Sequence, residues 1–295
     1  MQTKQQIQQL LSSAGVSPNH RLGQNFLIDL NLMQLLLDSG GVHSNDIVLE
    51  VGCGTGSMTE ALAEKASQII AVELDETLAK LCKQRFADHD NVEILHTDVL
   101  ENKNTIDKAV IESLQLARQQ CSGRVLLVAN LPYSVASPVM INLITGTVFA
   151  EAMYVTVQKE VAQRMVANAG GKHYGPLSII MATAGDVKIL RYLKPTVFWP
   201  QPQVDSAMVS FVRSKKRIAA IHNASLLGET INLFMQHRRK MLKACTKFAS
   251  NRLAEIHNWD SIFEDCAVDP HSRPEQLTPG NYVAIANMCN EFIAD

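Results

Sequence analysis

Four short aliphatic runs, Ile47–Val51, Ile69–Leu74, Val92–Leu95 and Arg124–Ala129, recur along the first half of the chain. Each is rich in Val, Ile or Leu and closes on a polar or turn residue, the pattern of a strand buried on both faces. Between them the apolar spacing turns helical: Met58, Leu62 and Ala66 recur every fourth residue, and Leu78, Leu81, Cys82 and Phe86 form a similar stripe. Strands alternating with helical crossovers leave one economical arrangement, an α/β fold with a doubly wound, mainly parallel sheet.

Met153–Val157, Val187–Leu193 and Met208–Val212 are three further β-rich segments. The last two flank Lys194–Ser206, which holds Pro195, Pro200 and Pro202, so they are expected as an antiparallel pair joined by a stiff loop. Beyond Val212 the pattern is helical, with a stripe at Leu226, Leu227, Ile231, Phe234 and Met235 and a second helix from Pro279 to about Phe292. A boundary near Ser214 is therefore expected. It divides a domain over 1–213, with a helical extension over 1–30, from a small all-helical domain over 214–295.

Composition narrows the class. The 295 residues are 46% hydrophobic and 19% charged, which excludes a disordered chain. No apolar run approaches the ~20 residues of a membrane span, and the Gln-rich start lacks the apolar core of a secretory signal. Six cysteines are scattered without a C-x-x-C pair, so neither a metal site nor a disulfide framework is expected, and a reducing, cytoplasmic setting fits. The net charge of −2 hides an asymmetry: residues 213–252 hold ten Lys and Arg against one acidic residue, and residues 253–295 hold one against eight. The first of these stretches reads either as a solvated helix face or as a basic face for a polyanion.

The first strand runs into Glu50-Val51-Gly52-Cys53-Gly54-Thr55-Gly56 and then a helix. Glycines here permit a tight turn and close approach of a ligand to the backbone. A dinucleotide fingerprint needs its third glycine at position 57, where Ser57 stands. The spacing instead resembles motif I of class I S-adenosylmethionine-dependent methyltransferases. Glu73 ends the second strand 21 residues after Gly52, where a carboxylate can accept from ribose hydroxyls. Asp98, past the third strand, could accept from an adenine amino group. Either acid alone would be read as a cap or turn residue; three such features in order at strand ends indicate a nucleoside site.

The fourth strand ends in Asn130-Leu131-Pro132-Tyr133. The Asn130 amide oxygen and a backbone carbonyl of this turn could accept from an exocyclic N6 amino group, with the Tyr133 ring as a stacking face. The N6 lone pair is delocalised into the ring. Drawing its hydrogens onto two acceptors pyramidalises the nitrogen and exposes that pair to a methyl donor.

These motifs are followed by Val157-Gln158-Lys159-Glu160-Val161, Tyr174-Gly175-Pro176-Leu177-Ser178 and Phe198-Trp199-Pro200-Gln201-Pro202-Gln203-Val204-Asp205-Ser206-Ala207, and preceded by Leu22-Gly23-Gln24-Asn25-Phe26-Leu27-Ile28-Asp29. In this order the set resembles the ribosomal RNA adenine dimethyltransferases, most nearly the KsgA-type group acting on the small ribosomal subunit. The resemblance implies S-adenosylmethionine as cofactor, contacted by Asn25, Leu27, Gly52, Gly54, Glu73, Asp98 and Asn130. It implies that Asn130, Leu131, Pro132 and Tyr133 hold the target adenine, with Phe198 closing over the other face. It matches the family's Arg-Arg-Lys element to Arg238, Arg239 and Lys240, and with Lys243 assigns that basic segment to RNA phosphate. The implied reaction is N6,N6-dimethylation of two adjacent adenosines in the 3′-terminal hairpin loop of 16S rRNA within an assembling 30S particle. Neither metal nor membrane is expected from the composition, and a monomer is expected because nothing in the sequence suggests an obligate interface.

Three departures stand out: Ala129 replaces a glycine often found before the Asn-Leu-Pro-Tyr motif, the crossover Glu101–Gly123 is long, and Lys243 stands where Arg is usual. Alternatives of other classes stay open on sequence alone. They are a large-subunit rRNA methyltransferase of the antibiotic-resistance type, a ribosome-assembly factor acting mainly by binding, and a DNA adenine methyltransferase. Val204–Ala207 and Gln158–Val161 favour the small-subunit group.

Overall fold

The structure is a computed structural model and describes residues 1–19 and 22–294, with residues 20 and 21 of the N-terminal extension and residue 295 outside this range. The chain forms two compact units, Met1–Ala162 with Lys188–Val212, and Gln163–Val187 with Arg213–Asp295. The expected division near Ser214 is met at one point only, because residues 163–187 belong with the second unit. The reason is apolar: Tyr174 and Ile179 are buried in one cluster with Phe234, Phe263, Tyr282 and Ile285. The Tyr174 hydroxyl also donates to the Leu277 carbonyl at 2.7 Å.

The first unit is built on a sheet of seven strands: β1 (Ile47–Val51), β2 (Gln68–Glu73), β3 (Val92–His96), β4 (Val125–Asn130), β5 (Ala152–Gln158), β6 (Gly185–Leu193) and β7 (Ser206–Arg213), in the order β3-β2-β1-β4-β5-β7-β6. β1 to β5 are parallel where they pair, and β7 runs antiparallel to β5. The two expected late strands are neighbours, with β7 inserted between β5 and β6. The four aliphatic runs are β1 to β4 within a residue or two. The side chains of β1, β2 and β4 are buried because helices cover both faces, whereas β3, at the sheet edge, buries only Ile94. Val48, Ile69, Leu126 and Val128 pack in one cluster with Leu36 and Leu37 of α2 (Leu30–Gly40) and Leu62 of α3 (Ser57–Ala63).

The N-terminal extension is only partly helical. α1 (Lys4–Ser13) begins at a Thr3–Gln6 capping box, and α2 is capped by Asp29. Between them Phe26–Leu27 pairs antiparallel with Phe198–Trp199 of the proline-rich loop. The long crossover holds a small hairpin, Leu100–Asn102 with Thr105–Ile106, and then the helix Lys108–Gln120. Its Arg118 bonds Glu151 at 2.7 Å and lies over the Phe149 ring, which gives that helix end a structural role. Ala129 sits within β4, where extended backbone accepts a methyl without strain. Among the described residues no helix is long and apolar enough to cross a membrane.

At the amino ends of β1 and β4, the buried Asp46 carboxylate accepts from Arg124 Nη2 at 2.6 Å and from the backbone N–H groups of His43 at 2.9 Å and Arg124 at 3.0 Å. Burial pushes this carboxyl up, but the hydrogen bonds from Arg124 and the two backbone donors outweigh it and hold it below the usual carboxylate range. A depressed carboxyl contributes stability above that range and loses it as pH falls through the lowered value. Asp46→Asn should therefore cost about 2 kcal/mol in urea melts at pH 7, with the gap closing below about pH 4; a gap unchanged down to pH 3 would exclude the pair as its source.

Candidate active site

The carboxyl ends of the parallel strands converge on one cavity of about 220 Å³, lined by residues that include Asn25, Leu27, Glu50, Gly52, Gly54, Glu73, Asp98 and the Asn130–Tyr133 turn. This is the edge at which an open α/β sheet binds ligands. The parallel registers Val51↔Val72, Glu73↔His96 and Asn130↔Thr156 bring those ends level.

Gly52, Gly54 and Gly56 all have left-handed backbone, with φ of 76°, 59° and 76°. A Cβ on Gly52 would stand 3.0 Å from the Pro132 ring, and one on Gly54 would stand 2.9 Å from the Phe26 ring. The glycine turn thus makes room for the Asn-Leu-Pro-Tyr turn on one side and the N-terminal segment on the other. Glu73 anchors it. Its Oε2 accepts from the Gly54 N–H at 2.8 Å and its Oε1 from the Asp75 N–H at 3.0 Å. Burial raises the Glu73 carboxyl, an effect these backbone donors only partly offset.

Glu50, fully buried behind the turn, accepts from the Thr59 hydroxyl at 2.6 Å. Desolvation, less the Thr59 hydrogen bond and with the nearby Glu73 charge added, pushes its carboxyl up to about 8. It is neutral at pH 7.

The Asn130 amide is held at both ends. Its Nδ2 donates to the Asn25 carbonyl at 2.8 Å, and its Oδ1 accepts from the Thr156 hydroxyl. These partners orient the amide oxygen as the acceptor end. The Tyr133 hydroxyl is 2.6 Å from Ser206 Oγ on β7, and burial raises the phenol above its ordinary value, the Ser206 bond opposing. Leu131 is buried, so its cavity contribution is mainly backbone. Asp98 is exposed at the rim, one oxygen accepting from the Leu100 N–H at 3.0 Å.

The family model for ribosomal RNA adenine dimethylase matches residues 15–291. The chain belongs to that family. It is 31% identical to the small-subunit rRNA methyltransferase A of Bacillus licheniformis over 97% of this chain and 96% of that one. It is 33% identical to the protein of the same name from Levilactobacillus brevis, over 90% and 88%. A dimethyladenosine transferase from Plasmodium falciparum superposes with a TM-score of 0.70 at 22% identity over 90% of this chain and 97% of that one. The 23S rRNA methyltransferase ErmE does so at 0.60 and 19%, over 90% and 100%. The fold of this dimethylase is accordingly that of the class I methyltransferases.

The structure gathers the expected cofactor and adenine residues of the dimethylase around one cavity, with one exception. Phe198 is only 1% exposed, pairs with Leu27 and packs into the hydrophobic cluster beneath, so its ring does not line the cavity. The short ladder between Phe26–Leu27 and Phe198–Trp199 turns it inward. The basic residues also differ from expectation. Arg238, Arg239 and Lys240 are exposed on the turn that follows the helix Ala224–Gln236 rather than on a continuing helix. Lys240 lies over the Phe248 ring, and Lys243 is paired with Asp260 at 2.8 Å.

Sequence reading overlooked Thr156 and Ser206, which orient Asn130 and Tyr133 from neighbouring strands. Only the strand register puts them there. It overlooked Gln2 as well, whose amide donates to the Thr55 carbonyl at 3.1 Å and accepts from the Thr55 hydroxyl at 2.6 Å. Glu50 was visible as the acid of the glycine motif, but its burial was not.

Glu50 makes stability depend on pH. The unfolded chain ionises this carboxyl above about pH 4.5 while the folded one holds its proton to about pH 8, so the stability it leaves in place falls as pH rises across that window. The slope is about 1.4 kcal/mol per pH unit at most. Glu50→Gln, which keeps an acceptor for Thr59, should remove the slope: its urea midpoint should gain on the parent from pH 5 to pH 8. Parallel curves would show that Glu50 ionises freely.

Proposed function

We propose that this chain transfers methyl groups from S-adenosylmethionine to N6 of two adjacent adenosines in the 3′-terminal hairpin loop of 16S rRNA, dimethylating each. We further propose that it acts as a cytoplasmic monomer on the assembling 30S particle. The observation that carries the reading is the seating of Asn130–Tyr133 against the glycine turn, with Pro132 filling the space a side chain on Gly52 would take. An adenine acceptor set and a nucleoside cradle then share one cavity. The names of the bacterial relatives support the small subunit over the large.

The cavity fits the cofactor. Glu73 and Asp98 offer two carboxyls to a cationic nucleoside, Glu50 lines the cavity with its proton in place, and the glycine backbone leaves room. When bound, S-adenosylmethionine supplies an electrophilic methyl on a sulfonium. Glu73 keeps a second lone pair on each oxygen for ribose hydroxyls, and Asp98 keeps one oxygen for the cofactor's adenine. Gly52 and Gly54 bring backbone close to it, and Asn25 and Leu27 close the near side.

The rest is done by acceptors. Asn130 Oδ1 and the Leu131 carbonyl draw the N6 hydrogens of the target base, and Tyr133 stacks on it. The Pro132 carbonyl is occupied by the Val135 N–H at 3.2 Å. Because Thr156 donates to Asn130 Oδ1, only the remaining lone pair of that oxygen serves the substrate. No side chain needs to act as a strong base, since methylation itself makes the N6 proton acidic and water can take it. Positioning supplies the acceleration. Arg238, Arg239, Lys240 and Lys243 are assigned to RNA phosphate, with Lys243 first leaving Asp260. Phe198 reaches the adenine only if the short ladder holding it opens.

Incubation with labelled S-adenosylmethionine and immature small subunits, followed by digestion to nucleosides, should place N6,N6-dimethyladenosine at adjacent residues of the 3′ hairpin. Label in large-subunit rRNA or DNA instead would overturn the reading. Asn130→Ala should bind the cofactor within about threefold of the parent and lose about a hundredfold or more in turnover. Thr156→Val should lower kcat about tenfold with the cofactor KM little changed, and an equal loss in cofactor binding would refute its role as a positioning residue for Asn130.

A further inference from the structure

The edge strand β6 carries Lys188, Leu190 and Tyr192 at two-residue spacing, which places them on one face of the sheet. All three are exposed, Tyr192 to 53%. Lys194 follows in the chain. Lys159, at the end of β5, puts its ammonium 5.6 Å from the centre of the Tyr192 ring. One carboxylate, Asp205, serves both cations: its Oδ2 is 3.4 Å from Lys159 Nζ and 3.7 Å from Lys194 Nζ. The cluster therefore stays net positive around an open aromatic ring.

It is also joined to the adenine site. The Asp205 carbonyl accepts from the Lys159 N–H at 3.0 Å, and the next residue, Ser206, holds the Tyr133 hydroxyl at 2.6 Å. Lysines on an edge strand discourage strand pairing, but that leaves unexplained why Tyr192 faces outward and why Lys159 comes from another element to flank it. An aromatic face between ammonium groups is the arrangement that takes single-stranded nucleic acid, the ring stacking a base and the cations taking phosphates.

We propose that this patch binds the RNA strand flanking the target adenosine, with one base stacked on Tyr192 and neighbouring phosphates on Lys159 and Lys194. The proposal rests on the reading of the chain as an RNA adenine dimethyltransferase and extends it to a second contact surface beside the cavity.

Tyr192→Ala, Tyr192→Trp and the pair Lys159→Ala with Lys194→Ala test it in the full chain, with cofactor affinity as the check that each variant is folded. Tyr192→Ala should raise the KM for small-subunit RNA about tenfold with kcat retained, and Tyr192→Trp should restore it. The lysine pair should reduce the slope of log affinity for bare 16S rRNA against log salt by about 1.4. An unchanged KM and slope would overturn the proposal. So would an effect seen with protein-containing particles and absent from bare rRNA, since that would assign the patch to a protein partner. If the parent chain itself methylates no ribosomal RNA, the functional reading fails and this proposal with it, a result distinguished by parent and variants being silent together.

Discussion

The clasp of Glu73 on the glycine turn is the contact on which the rest of the site depends. Parallel pairing of β1 and β2 brings the Glu73 carboxylate level with the turn that leaves β1, and the left-handed backbone at Gly52 and Gly54 aims the Gly54 N–H at it. A buried carboxylate without donors would be costly, so turn and strand end hold one another. With the turn fixed, the absence of a side chain at Gly52 decides where Pro132 can sit. That in turn places Asn130 and Tyr133 beside the glycine turn. One hydrogen-bonded constraint thereby sets the spacing between the glycine turn and the Asn130–Tyr133 turn.

A second layer of contacts removes freedom from the acceptor itself. A side-chain amide can flip, and Asn130 is prevented from flipping by a carbonyl on one end and a hydroxyl on the other. Tyr133 is restrained likewise through Ser206. These partners come from the N-terminal segment, β5 and β7, none of them adjacent in sequence to the motif they serve. The geometry of the Asn130–Tyr133 turn is accordingly a property of the sheet as much as of the four motif residues.

What sequence reasoning reached and what it missed divide along the same line. β1 to β4, the helices between them, the glycine turn and the order of Glu73, Asp98 and Asn130 were legible, because hydrophobic period and turn chemistry are local signals. Residues 163–187 were placed in the wrong unit because their partners, Phe234, Tyr282 and Leu277, lie roughly 50 to 120 positions away. Phe198 was expected over the adenine, yet pairing with Leu27 turns it into the core. The long crossover and its Arg118 made sense only once Glu151 and Phe149 stood beside that helix end.

Some of this protein was determined by the sequence alone: strands buried on both faces, a turn that needs glycine, and polar residues at the strand ends that line the cavity. Those depend on spacing within a few residues and on each side chain's own chemistry. Only the tertiary structure decided which carboxyl is neutral, which end of the Asn130 amide donates and which accepts, and where Tyr192 stands relative to the cavity. Burial, strand register and hydrogen-bond partners are set by segments distant in the chain, and desolvation and donor geometry exist only after those segments meet.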